Sequence, residues 1–171
     1  ITTNVKFDQN SANKTADTLK SDILTTLTNY NTNTLTQFDG VFRYSKVTGL
    51  IDNTDSSILS NITTLKIRKD FTPTLTVSSK YNVYFRNSLH NPHSGHNSAA
   101  GGILESSGFK VSGDSSTVFY LDDDGVGNVR RYSFSGATRV YTASDQGTID
   151  YANGAITINS LSVLSVENIR G

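Results

Sequence analysis

The chain contains no cysteine, no methionine and no tryptophan, and only 2 prolines in 171 residues. Without cysteine, disulfides and thiolate metal sites are excluded, so folding rests on packing and hydrogen bonds. Without an initiator methionine, a segment of a larger polypeptide is expected. Charge bias is missing too, because 15 Lys and Arg balance 15 Asp and Glu. A nucleic-acid binder concentrates cations to displace counterions from phosphates, and a membrane-surface helix carries a basic face. Neither nucleic acid nor a membrane is therefore an expected partner. No apolar run approaches the roughly 18 residues of a spanning helix. The opening Ile1-Thr2-Thr3-Asn4 has neither the basic nor the apolar region of a signal peptide.

What is present is Thr, Ser and Asn in abundance, with 35% hydrophobic residues placed periodically. β-Branched, hydroxyl-bearing Thr suits a half-exposed pleated surface. The fold class expected is α+β: an N-terminal helix packed on a small sheet, followed by a β-hairpin-rich antiparallel region. The expected division is a helix-containing α+β lobe over residues 1–78 and a β-rich lobe over 79–171, both within one chain of single-domain size.

The helix is expected over Lys14 to Tyr30. Ala16, Leu19, Ile23, Leu27 and Tyr30 fall on one stripe, Asn13 or Thr15 stands at the cap, and Asp17 favours the first turn. A short strand, Asn4 to Phe7, precedes it. A second helix, Phe42 to Ile51, presents Tyr44, Val47 and Ile51 on one side. Strands are expected at Thr63 to Lys69, Thr74 to Val77 and Tyr81 to Arg86. Val118 to Asp122 and Asn128 to Phe134 flank Asp123-Asp124-Gly125 as a hairpin. Arg139 to Thr142 reads as a separate strand. Thr148 to Tyr151 and Ala155 to Asn159 flank Asn153-Gly154, the strongest hairpin signal in the chain.

Several residue groups invite a chemical reading. His90, His93 and His96 recur at intervals of three, and three imidazoles can bind zinc. They sit in the Pro/Gly-containing stretch Asn87 to Gly102, which does not by itself orient three rings, so a polar loop is the preferred reading. Asp122-Asp123-Asp124-Gly125-Val126-Gly127-Asn128 suggests a calcium loop, but Val126 and Ser133 occupy two ligand positions, and a solvated β-turn accounts for the acids. No Gly-x-Ser-x-Gly elbow and no phosphate-binding glycine loop occurs. Glu stands only at Glu105 and Glu167, which offers little for a glycosidase carboxylate pair. No catalytic residue, metal ligand or cofactor is expected, and the chain reads as a non-enzyme.

The order of elements carries a resemblance. Thr15-Ala16-Asp17-Thr18-Leu19-Lys20-Ser21-Asp22-Ile23 leads to Phe42-Arg43-Tyr44-Ser45-Lys46-Val47. Then follow Lys66-Ile67-Arg68-Lys69, Tyr81-Asn82-Val83-Tyr84-Phe85-Arg86-Asn87, Asp122-Asp123-Asp124-Gly125-Val126-Gly127, and Gly147-Thr148-Ile149-Asp150-Tyr151-Ala152-Asn153-Gly154. The succession resembles the baseplate wedge proteins of T-even-type contractile-tailed bacteriophages, relatives of the baseplate J family, in their C-terminal half. The resemblance implies a structural role in the virion tail baseplate. It further implies dimer contacts with other copies that build an inner ring, binding to other wedge subunits, and assembly in the host cytoplasm.

Such contacts use aromatic and Arg anchors. Two clusters qualify as interface candidates: Tyr81, Tyr84, Phe85 and Arg86, and Arg130, Arg131, Tyr132, Arg139 and Tyr141. Alternation of strand faces, one buried and one wet, explains the same residues. A carbohydrate- or receptor-binding β-rich module of a phage or adhesin is the alternative function, and a histidine-based hydrolase a third.

Overall fold

A computed structural model describes residues 1–167 and divides the chain into two compact units, Ile1–Arg68 and Lys69–Gly171. Both the helix-on-sheet start and the antiparallel β-rich remainder are as the sequence implies.

The first unit runs β1 (Thr2–Phe7), α1 (Ala16–Tyr30), a single wide π-type turn (Asn31–Leu35), α2 (Tyr44–Asp52) and β2 (Ile58–Thr64). Thr15 caps α1, its hydroxyl accepting from Thr18 N at 3.3 Å. Leu19, Ile23 and Tyr30 of the expected stripe are buried, Leu27 is partly so, and Ala16 stays exposed one residue inside the cap. Ile23, Tyr30, Val47 and Ile51 form the core under the two-stranded antiparallel β1–β2 sheet, which adds Val5 and Ile58. Tyr44 fixes the start of α2, its hydroxyl donating to Thr63 O of β2 at 2.6 Å. The strand expected at Thr63 to Lys69 lies earlier in the chain. β2 pairs β1 from Phe7↔Ile58 to Thr2↔Thr64, so Leu65 and Ile67 fall beyond the ladder and are exposed.

The second unit is one seven-stranded antiparallel sheet: β3 (Ser79–Tyr84), β4 (Phe109–Val111), β5 (Asp114–Asp123), β6 (Asn128–Ser135), β7 (Thr138–Asp150), β8 (Ala155–Leu161) and β9 (Val163–Val166). Their order across the sheet is β3-β8-β7-β6-β5-β4-β9. β9 follows β8 after one residue, Ser162, yet pairs with β4 at the far side. The sheet is therefore strongly curled, and its concave face holds Phe109, Phe119, Leu121, Val129, Ile149, Ile156, Ile158, Leu161 and Val163. The segment Thr74 to Val77 is no strand. It contributes one parallel bridge, Leu75↔Val163, because Thr76 turns to φ 61° and ends the extended run.

Both expected hairpins form, β5–β6 and β7–β8. The strands expected separately at Arg139 and Thr148 are one 13-residue strand, β7. β6 pairs it from Thr138 to Thr148 and β8 pairs it from Gly147 to Asp150, with register shifts opposite Arg131 that bend the β6 ladder.

Candidate interaction site: an arginine–aromatic face on a buried aspartate

Strand alternation puts Tyr120 and Asp122 of β5 on one face with Arg130, Tyr132 and Phe134 of β6. Register places Asp122 opposite Arg130 and Tyr120 opposite Tyr132. β7 adds Tyr141 opposite Tyr132 and Arg139 opposite Phe134. The centre is Asp122, only 1% exposed. Arg130 Nε donates to its Oδ1 at 2.9 Å, and Arg139 donates to its Oδ2 at 2.7 Å. Tyr141 also donates to Oδ2, at 2.9 Å. One carboxylate thus holds two guanidiniums and a phenol, and both oxygens are satisfied.

Two positive charges on one carboxylate leave an excess, and aromatic faces take it up. Arg130 lies 4.3 Å over the Tyr141 ring and Arg139 lies 4.7 Å over the Tyr132 ring. Tyr120 and Tyr132 stack at 5.6 Å, and Phe134 meets both edge-on at 5.4 Å. Burial pushes the Tyr132 and Tyr141 phenols above their ordinary range, with the Asp122 bond adding to the shift at Tyr141. The face grades from dry to wet: Tyr132 is buried, whereas Phe134 is 49% and Tyr141 41% exposed.

Asp123, on the opposite face and 0% exposed, anchors the chain between the histidines and β4. Its Oδ1 accepts from Ile103 N and Leu104 N at 2.7 and 2.6 Å, and its Oδ2 from Gly125 N and Tyr151 Oη at 3.1 and 2.6 Å. Asp124 makes the turn expected at Asp123-Asp124-Gly125. Burial pushes its carboxyl up, but donors from Asn128 and Val126 outweigh that and hold it low. The expectation of a solvated acidic turn is therefore corrected for Asp122 and Asp123, which belong to β5 and are buried.

Of the interface candidates, Arg130, Tyr132, Arg139 and Tyr141 come together on this face. Arg131 points the other way, 5.1 Å over the Phe119 ring, with Nε donating to Thr142 Oγ1 at 3.2 Å. Tyr81, Tyr84, Phe85 and Arg86 do not form one cluster. Tyr81 and Phe85 pack on the core, while Tyr84 and Arg86 are exposed. Arg86, at φ 54°, and Tyr84 line a cleft of about 410 Å³ with Lys69, Asp70 and Phe71. Sequence reasoning missed Asp122, Tyr120 and Phe134. The period-2 spacing of Tyr120 with Asp122 and of Arg130 with Tyr132 and Phe134 was the available signal.

The three histidine rings do meet. His93 and His96 have ring centroids 5.0 Å apart, and His90 and His96 5.4 Å, both edge-to-face. Among the described residues, no three His, Cys, Asp or Glu side chains are placed to hold one metal ion. No described helix is long and apolar enough to cross a membrane.

Residues 1–70 match the family model described as baseplate structural protein gp6, C-terminal domain III. These residues are similar to a domain of the gp6 baseplate family. The gp6 match coincides with the helix-on-sheet unit, Ile1–Arg68. The match covers less than half of the chain, and it likens that unit to a domain of a baseplate structural protein. The arginine–aromatic face lies in the β-rich unit, outside the gp6-matched residues. No curated protein matches the chain at a significant level.

Proposed function

We propose that this chain is a building block of the inner baseplate ring, contacting other copies of itself and other wedge subunits after assembly in the host cytoplasm. The observation that carries this reading is the gp6 match over residues 1–70. Two surfaces support it physically. The gp6 unit exposes Leu24, Phe38, Val41, Leu59 and Ile62, which is much apolar area for so small a body. Ile62 stands on the outward face of the two-stranded sheet, opposite Asn4. In the β-rich unit, Tyr141, bonded to Asp122, and Phe134, packed on Tyr120 and Tyr132, offer aromatic anchors that lose little side-chain freedom on contact. Tyr84 and Arg86 are a second, more polar contact candidate.

The role is structural. The groups that burial and charge have gathered around Asp122 are mutually satisfied, which suits holding a surface in place better than activating a nucleophile. Sedimentation velocity over a rising concentration series tests the self-contact. Reversible association, weakened by Phe38→Ser with Ile62→Ser, is expected. A chain that stays monomeric throughout, and does not co-sediment with purified wedge proteins, would overturn the proposal.

A further inference from the structure

We infer that His93 and His96 form a two-imidazole clamp for a borderline divalent cation such as zinc, with water filling the remaining positions. The inference is independent of the baseplate reading and rests on the nitrogen geometry of the loop.

The loop is not loose. Gly95 N donates to Gly125 O at 2.9 Å, Asn91 Nδ2 to the same oxygen at 3.1 Å, and His96 N to His93 O at 3.1 Å. Gly102 N closes the far end on Asn97 O at 2.8 Å, and Arg130 reaches Ser98 O at 3.3 Å. The β5–β6 hairpin tip presses against the loop so closely that a Cβ at Gly125 would lie 2.8 Å from His96 N. The histidine backbone is thus held by the same hairpin whose acids are buried below it. That supplies the outside support which the loop's sequence lacks.

The rings are oriented as well. His93 Nδ1 lies 3.2 Å from Ser94 O. A carbonyl only accepts, so Nδ1 carries the proton and Nε2 presents its lone pair. A second interaction of this kind is what fixes the tautomer of a metal-ligating imidazole. That lone pair faces His96 Nδ1 at 3.4 Å. The separation is long for a hydrogen bond, whose usual range ends near about 3.2 Å. It equals the edge of a tetrahedron around zinc, which for zinc–nitrogen bonds of about 2.0–2.1 Å is about 3.3–3.4 Å. A centroid separation of 5.0 Å with planes at 84° leaves room for both imidazoles on one such ion.

Binding requires one change. Any proton on His96 Nδ1 moves to Nε2, and the two facing lone pairs then take the ion. His90 packs edge-on against His96, with ring centroids 5.4 Å apart, and is assigned no part in the clamp.

Calorimetric titration of the chain with zinc chloride, together with nitrogen NMR of the imidazoles, tests the clamp. One equivalent is expected, shifting His93 Nε2 and His96 Nδ1. His93→Ala and His96→Ala should each weaken binding by at least about tenfold, because a chelate becomes a single contact. His90→Ala should leave it unchanged. The inference fails if wild-type protein takes up no zinc, if those two nitrogens do not move, or if His90→Ala weakens binding as much as His93→Ala. The NMR arm needs only wild-type protein, so a variant that misfolds does not spare the proposal.

Discussion

Asp122 and Arg130 face each other across β5 and β6, with Arg130 Nε 2.9 Å from Asp122 Oδ1, and the aspartate is almost completely buried. Arg139 reaches the other oxygen from β7, so one side chain ties three successive strands together. The ion pairs sit under an aromatic layer rather than in open water. Removing either partner therefore costs more than breaking a surface salt bridge.

Asp122→Ala should destabilise the β-rich unit by about 3–5 kcal/mol, since two guanidiniums and a phenol lose their shared acceptor. Urea unfolding followed by tyrosine fluorescence measures it. A loss of under about 1 kcal/mol, the range of exposed pairs, would contradict the described burial.

Tyr151→Phe removes the donor to Asp123 Oδ2 and should cost about 1–3 kcal/mol. Burial, then the Asp123 bond, pushes the Tyr151 phenol well above its ordinary range. A phenol whose folded-state value is raised contributes stability below the unfolded value, near about 10, and loses it as pH climbs through the folded one. Wild-type stability should therefore fall more steeply than that of Tyr151→Phe above about pH 10. Parallel alkaline curves would count against the bond.

Gly102→Ala should lower the melting temperature. Gly102 has φ 66°, and an added Cβ would run into the Asp123 carboxylate. The left-handed conformation alone costs a non-glycine residue about 1–2 kcal/mol, or some 2–8 °C for a chain of this size. Calorimetry gives the answer directly. Gly113→Ala, at φ 94° with open space around it, isolates the backbone part of the cost.

In the gp6 unit, Ile51→Ala should cost about 2–5 kcal/mol, because Ile51 is 0% exposed between the helices and the small sheet. Phe38→Ser should change stability by less than about 0.5 kcal/mol, because Phe38 touches little within its own chain. Chemical denaturation of both variants separates core from contact surface.

Local signals carried most of the fold. The stripe Leu19, Ile23, Leu27 and Tyr30 marked α1, and the turns before Asn128 and at Asn153-Gly154 marked two hairpins. Non-local facts were hidden. Three acids before a glycine read as a turn, and only Asp124 is one. Asp122 is buried because Arg139, 17 residues on, arrives from another strand. Nothing near Asp122 in sequence announces that pairing. The join of two expected strands into β7 was equally hidden, since β6 pairs it from Thr138 through Thr148, across the gap between the two expected strands. Tyr81, Tyr84, Phe85 and Arg86 looked like one cluster because they lie within six residues, but successive residues of an extended chain point to opposite faces. The histidine loop looked unsupported because its support, the Gly125 turn, lies some thirty residues later.

The central claim, that this chain is a gp6-type baseplate component held by contacts with its own copies and with wedge subunits, is tested most directly by cross-linking mass spectrometry of purified intact tails. Cross-links are expected from residues of the first unit, such as Lys6 and Lys46, to other copies and to neighbouring baseplate proteins. Absence of the chain from purified tails, or cross-links confined within single copies, would contradict it.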